Sequence, residues 1–209
     1  SDQPTQTNEK ITEYDWNSAS EIMKAVTKFE QPLGFIVPTP GKGNCFFEAV
    51  VEVVSTSKYQ SQLTNAMKIA CSDHLSLRKA VVDYIDGIYN KGCPRNGNEE
   101  WFGFIAQYID RKKEEDEKKF NDWNCLKMWM KTPEVYAEDI FIQFTAYFLE
   151  HDLKMISNQN ENKDEPFTIV IGNFSNVEKE PIYLGFLRVN VGVQKMEEAP
   201  NHFQSLLPI

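Results

Sequence analysis

Pro40-Gly41-Lys42-Gly43-Asn44-Cys45-Phe46-Phe47-Glu48-Ala49-Val50-Val51-Glu52-Val53-Val54 is the stretch on which the reading of this chain turns. Proline and glycines break regular structure up to Asn44. After it, two acids, Glu48 and Glu52, interrupt an apolar run, and they stand four residues apart. The valines suit a strand. The spacing of the acids puts both on one face of a helix, and we read a largely buried helix capped by Asn44. Cys45 then stands at the helix N-terminus. The positive end of the dipole favours thiolate over thiol there. Unpaired N–H groups of the first turn and the loop can point at a developing oxyanion, and Gly41 and Gly43 let that backbone approach a substrate. A thiolate nucleophile also needs a base, usually histidine. A lone cysteine before a helix is more often inert.

Working outward, residues 1–10 are polar. Ser18 or Ser20 caps a helix over Glu21–Phe29, with Ile22, Val26 and Phe29 on one face. Residues 61–90 hold two amphipathic helices, the second with Leu77, Ala80, Val81, Tyr84, Ile85 and Ile88 at helical spacing. A helix begins at Trp101. The mixed charges of Arg111–Lys119 read as a solvated face. Another helix opens at or near Pro133 and continues an apolar face through Ala137, Ile140, Phe141, Phe144 and Phe148. Leu153–Ile156, Phe167–Ile171 and Ile182–Val189 read as strands, with a polar loop over Asn158–Glu165. The tail Pro200–Ile209 reads as a last strand. Helices precede strands, which predicts an α+β architecture. We divide the chain into a polar segment and helix, 1–30, and one domain, 31–209.

Composition bounds the function. The 209 residues carry 22 Lys and Arg against 31 Asp and Glu, a formal charge of −9. Hydrophobic residues are 41% and charged residues 25%, the proportions of a folded protein. An acidic chain argues against nucleic acid as the main partner and permits a basic one. No uncharged apolar run approaches the roughly 20 residues of a membrane helix, and Ser1-Asp2-Gln3-Pro4 has no signal-peptide pattern. Cys45, Cys71, Cys93 and Cys125 form no Cys-x-x-Cys pair and are too sparse for a disulfide scaffold. With His74, His151 and His202 as the histidines, the residues show no metal-ligand cluster, and we expect no metal and no cofactor. His74 reads as a residue at a helix start and His151 as a cation favoured by a helix end. Trp101, Trp123 and Trp129, with Phe102 and Phe104, read as core.

Gly43-Asn44-Cys45-Phe46-Phe47-Glu48-Ala49-Val50 resembles the nucleophile motif of the ovarian tumour (OTU) family of papain-like cysteine proteases. Asn201-His202-Phe203-Gln204-Ser205-Leu206 resembles the family's histidine segment. Leu77–Ile85 looks like its Leu-Arg helix, and Tyr136–Leu153 like its helix leading into a strand. The resemblance spans residues from about 35 to 208. It implies an OTU-type papain-like fold, with a small central β-sheet packed between helices, and hydrolysis after the C-terminal glycine of ubiquitin. It implies Cys45 as nucleophile and His202 as general base, then acid. It implies an oxyanion hole of backbone N–H groups around Lys42, Gly43, Asn44 and Cys45. Ubiquitin or polyubiquitin would be the partner of a monomer in the cytoplasm, or in a host cytosol if the chain is microbial. Two positions depart from the pattern. Lys42 stands where the family has Asp, and Gln204 where it has Asp, Asn or Glu to orient the histidine; Asn201 is the next candidate orienter. These departures motivate a second reading, a weakened or inactive ubiquitin-binding module of the same fold. The helix faces alone also allow a structural interaction domain.

Overall fold

The computed structural model describes residues 35–37, 43–92, 100–157, 167–172, 174, 179–188 and 201–207. The expected helix over 21–29, the segment 1–30 and the polar loop 158–165 lie outside them.

Helix α1, Cys45–Val54, forms where the run of 46–54 predicts it. Cys45, Phe46, Phe47, Ala49, Val50, Val53 and Val54 are buried, and the two acids are the half-buried interruption. A helix apolar nearly all round must sit inside the molecule. Its valines are tolerated because burial outweighs their small helix penalty. The helices that follow are α2 (Ser57–Gln60), α3 (Asn65–Ala70), α4 (His74–Lys91), α5 (Glu100–Glu115), α6 (Trp123–Met130) and α7 (Asp139–Leu149). Asp73 starts α4 by accepting the Ser76 N–H at 2.7 Å, and Asp122 starts α6 by accepting the Cys125 N–H at 2.8 Å.

The strands are β1 (Phe35–Val37), β2 (Leu153–Ser157), β3 (Phe167–Ile171), β4 (Ile182–Arg188) and β5 (Asn201–Leu207). They form one sheet in the order β1-β5-β4-β2-β3, parallel between β2 and β4 and antiparallel elsewhere. Helix α1 packs on β5 and β4, α4 packs on α1 and α7, and α7 touches β3. Phe46 meets Phe203 of β5 edge-on at 5.0 Å between centroids, and Phe47 meets Phe141 of α7 at 5.7 Å. The expected α+β order, a small sheet packed by helices, is what forms.

Two expectations change. The helix expected from Pro133 starts six residues later, at Asp139. Residues 133–138 instead run as a non-helical segment in which Glu134 has φ 68°, the left-handed region that non-glycine residues rarely adopt. The charged run is also not wholly solvated. Lys112 is 6% exposed, with its ammonium 2.6 Å from Glu138 and 3.0 Å from Glu115. An ammonium is buried only when so paired.

Candidate active site

Cys45 is the first residue of α1 and is 2% exposed. Helix α1 packs on strand β5, and the backbone N–H groups of Phe203, Phe46 and Cys45 itself act to lower the thiol's pKa. Burial nevertheless dominates and pushes the thiol up to about 11, with Glu48 adding to the rise. The N–H groups at the helix end act in the expected direction, and burial outweighs them.

Phe203 is flanked in β5 by His202 and Gln204. Asn201, His202 and Gln204 pair in register with Arg188, Leu187 and Gly185 of β4. The backbone thus brings the expected base and orienter to the strand that touches the cysteine, though they lie more than 150 residues away in sequence. Ser205, two residues on from Phe203, is fully buried and donates to Glu52 Oε2 of α1 at 2.7 Å. That bond fixes β5 against α1 one helical turn or two beyond the cysteine.

The loop before Cys45 is held from the other side. A Cβ on Gly43 would fall 1.8 Å from the Glu134 carbonyl oxygen. Glycine is required here by the approach of another loop, not of a substrate as its sequence context suggests. Asn44 occupies the N-cap position but makes no side-chain bond to the helix. Its Oδ1 accepts the Glu134 N–H at 2.7 Å and Arg78 Nη2 at 3.3 Å. The expected cap is instead a clamp between loops. Lys42 and Gly41 lie outside the described residues.

Arg78, on α4, is 0% exposed. Its guanidinium donates to the carbonyls of Gly43 (3.2 Å), Met130 (3.2 Å) and Val135 (2.7 Å). It lies over the Phe47 ring at 4.7 Å and near that of Phe141 at 5.7 Å. Sequence reading matches Leu77–Ile85 to the family's Leu-Arg helix but gives the Arg78 side chain no role. The available signal is an arginine between Leu77 and Val81, inside the stripe of a helix that otherwise alternates normally.

The remaining candidates stay apart from this centre. Cys71 is buried, and burial pushes its thiol up to about 12. Cys125 is exposed, and Cys93 lies outside the described residues. His74 opens α4 and faces Glu48, Nε2 to Oε1 3.7 Å. His151 is not the expected solvated cation. It is 0% exposed, its Nδ1 lies 2.6 Å from the Leu149 carbonyl oxygen, and burial lowers its pKa. Trp101 is buried, while Phe102 is 46% exposed. Among the described residues no group of His, Cys, Asp or Glu is placed to hold a metal, and no helix is long and apolar enough to cross a membrane.

In the five-stranded sheet, β5, which carries His202, packs on the helix that Cys45 opens. The structure is similar to that of the OTU domain of OTUD1, with a TM-score of 0.51 and 12% identity over 95% of this chain and 97% of that one. The chain has the OTU fold. It also aligns with the viral OTU domain protease from Dera Ghazi Khan virus (TM-score 0.46, 11% identity, 84% and 81% of the two chains). A third alignment is to an OTU deubiquitinase from Wolbachia pipientis wMel bound to ubiquitin (TM-score 0.44, 13% identity, 83% and 95%). At those scores the last two add nothing to the fold assignment. No family model matches the sequence, and no curated protein does.

Proposed function

We propose that this chain is a deubiquitinating cysteine protease, with Cys45 as nucleophile, His202 as base and Gln204 as the residue that orients His202. The observation that carries the reading is the junction of α1 and β5. Cys45 opens the helix that packs on β5, Phe46 beside it meets Phe203 edge-on at 5.0 Å, and His202 is the residue next to Phe203. In this mechanism His202 takes the Cys45 proton, and the thiolate attacks the carbonyl carbon of the ubiquitin C-terminal glycine. Backbone N–H groups of the loop around Lys42, Gly43, Asn44 and Cys45 receive the oxyanion. The tetrahedral intermediate collapses by breaking the C–N bond, and the imidazolium protonates the leaving amine. Water, deprotonated by His202, then hydrolyses the thioester. No metal or cofactor enters these steps. The net charge of −9 suits a partner with a basic tail.

A second reading, a binding module that has lost catalysis, is favoured by the Cys45 thiol at about 11 and by the neutral Gln204. A diubiquitin panel separates the two. Cleavage of at least one linkage, lost in Cys45→Ala, supports the protease. Ubiquitin affinity by calorimetry with no cleavage of any linkage supports the binding module. Neither cleavage nor affinity overturns both.

A further inference from the structure

Arg78 is a buried guanidinium without a carboxylate. Among the described residues no Asp or Glu lies within ion-pair distance of it, and its hydrogen bonds go to three backbone carbonyls and one amide oxygen. Its Nε has no hydrogen-bond partner among the described residues. A cation in a dry interior is costly unless a negative charge or several dipoles answer it. Here the dipoles answer in part, and two of them belong to Gly43 and Asn44, the residues before Cys45. Burial lowers the pKa of Arg78, and the charge of Cys45, the residue after Asn44 in the chain, raises it.

The backbone geometry adds a second consequence. A peptide plane carries its C=O and the following N–H on opposite sides. With the Gly43 carbonyl drawn 3.2 Å from Arg78 Nη2, the Asn44 N–H is turned away from the guanidinium. It makes no hydrogen bond with the described residues.

Resting on the protease reading above, we propose that Arg78 is a positioning residue of the Cys45 centre: it turns the Asn44 N–H outward as an oxyanion donor and supplies the buried positive charge that a Cys45 thiolate answers. The chemistry fits both tasks. A planar fork can hold several carbonyls at once, whereas an ammonium is a point charge. On the described elements packed against Cys45 and its loop, the charged and titratable side chains in the argument are Glu48 and Glu52 of α1, His74 and Arg78 of α4, and Glu134 of the 133–138 segment that meets Gly43. Glu48 opposes ionisation of Cys45. Glu52 is bonded to Ser205, and Glu48 faces His74. Arg78 is thus the permanent cation of the set.

The test is the pH profile of iodoacetamide alkylation at the Cys45 peptide, read by mass spectrometry, in the wild type, Arg78→Lys and Arg78→Gln, each first shown to be folded by its unfolding transition. Arg78→Gln is expected to raise the midpoint by about one to three units, the worth of a nearby opposite charge. Arg78→Lys keeps the charge, so its midpoint moves less. It loses the fork, so kcat on a ubiquitin C-terminal amide falls on the order of a hundredfold with KM nearly unchanged, as for a misplaced oxyanion donor. An unchanged midpoint in folded Arg78→Gln overturns the proposal. If that variant does not fold, the wild type decides. The guanidinium Nε resonance of Arg78 should titrate with Cys45 and be flat in Cys45→Ala, and a flat resonance in the wild type overturns the proposal. Alkylation needs no ubiquitin, so a wild type that cleaves nothing would remove the protease reading and still leave the role of Arg78 to be decided.

Discussion

Cys45 sits in a dry pocket of ring carbons, and its thiol stands at about 11. At neutral pH such a group is a thiol, and the base decides whether it reacts. The wild-type alkylation midpoint should therefore fall well below the usual cysteine value of about 8.5, and His202→Ala should return it towards 11. The same variant should lower kcat on the order of a thousandfold or more. Equal midpoints in the two proteins would remove His202 from the pair. Gln204→Ala should lower kcat and leave KM unchanged; an unchanged kcat would pass the orienting role to Asn201. Gly43 offers a purely steric prediction. Gly43→Ala forces a Cβ against the Glu134 carbonyl, and the strain should cost about 1–3 kcal/mol in a urea unfolding experiment. Cys45 and His202 could be proposed from the sequence because each lies in a short local pattern. Arg78 and Glu134 were not, because what they do depends on loops that meet only in three dimensions.

At the scale of elements, the site is a junction between one helix and one strand, and small bonds set its register. Ser205 on β5 reaches Glu52 on α1. Ser205→Ala should cost about 1 kcal/mol, the net worth of one hydrogen bond, with some extra for a carboxylate left underpaired. It should lower kcat more than it changes KM, since β5 also carries His202; a loss of stability with unchanged kcat would show that the bond is structural only. The helix α1 was legible from the spacing of Glu48 and Glu52 on an apolar run. The start of α7 was not. Pro133 has the look of a first helical residue, yet Glu134 takes a left-handed conformation and the segment serves Gly43, Asn44 and Arg78 instead. Local propensity lost there to three long-range contacts, which no window of sequence contains.

For the whole molecule, His151 ties α7 to the approach of α3. Its Nε2 lies 3.1 Å from Gln62 Oε1, and its ring meets Tyr59 edge-on. Burial holds its folded pKa below the ordinary 6.5. The unfolded chain therefore takes up the proton first as pH falls. The contribution of the neutral ring is complete above about 6.5 and is lost on acidification. Urea midpoints should fall between pH 7 and pH 5 in the wild type and fall less in His151→Gln; parallel slopes would exclude His151. The overall charge of −9 gives a further check, since attraction to a basic partner weakens with salt. KM for ubiquitin substrates should rise with ionic strength while kcat holds. The α+β order was legible because helices and strands occupy separate halves of the chain. The strand order β1-β5-β4-β2-β3 was not, because pairing of β1 with β5 joins the two ends of the described chain. The central claim is that this OTU-fold chain uses Cys45 on ubiquitin. The most direct test is to incubate the folded protein with ubiquitin bearing a C-terminal electrophile and locate the adduct by peptide mass spectrometry. One ubiquitin on Cys45, absent in Cys45→Ala and slowed in His202→Ala, is the predicted result; folded wild type with no adduct, or with the adduct on Cys125 instead, would contradict it.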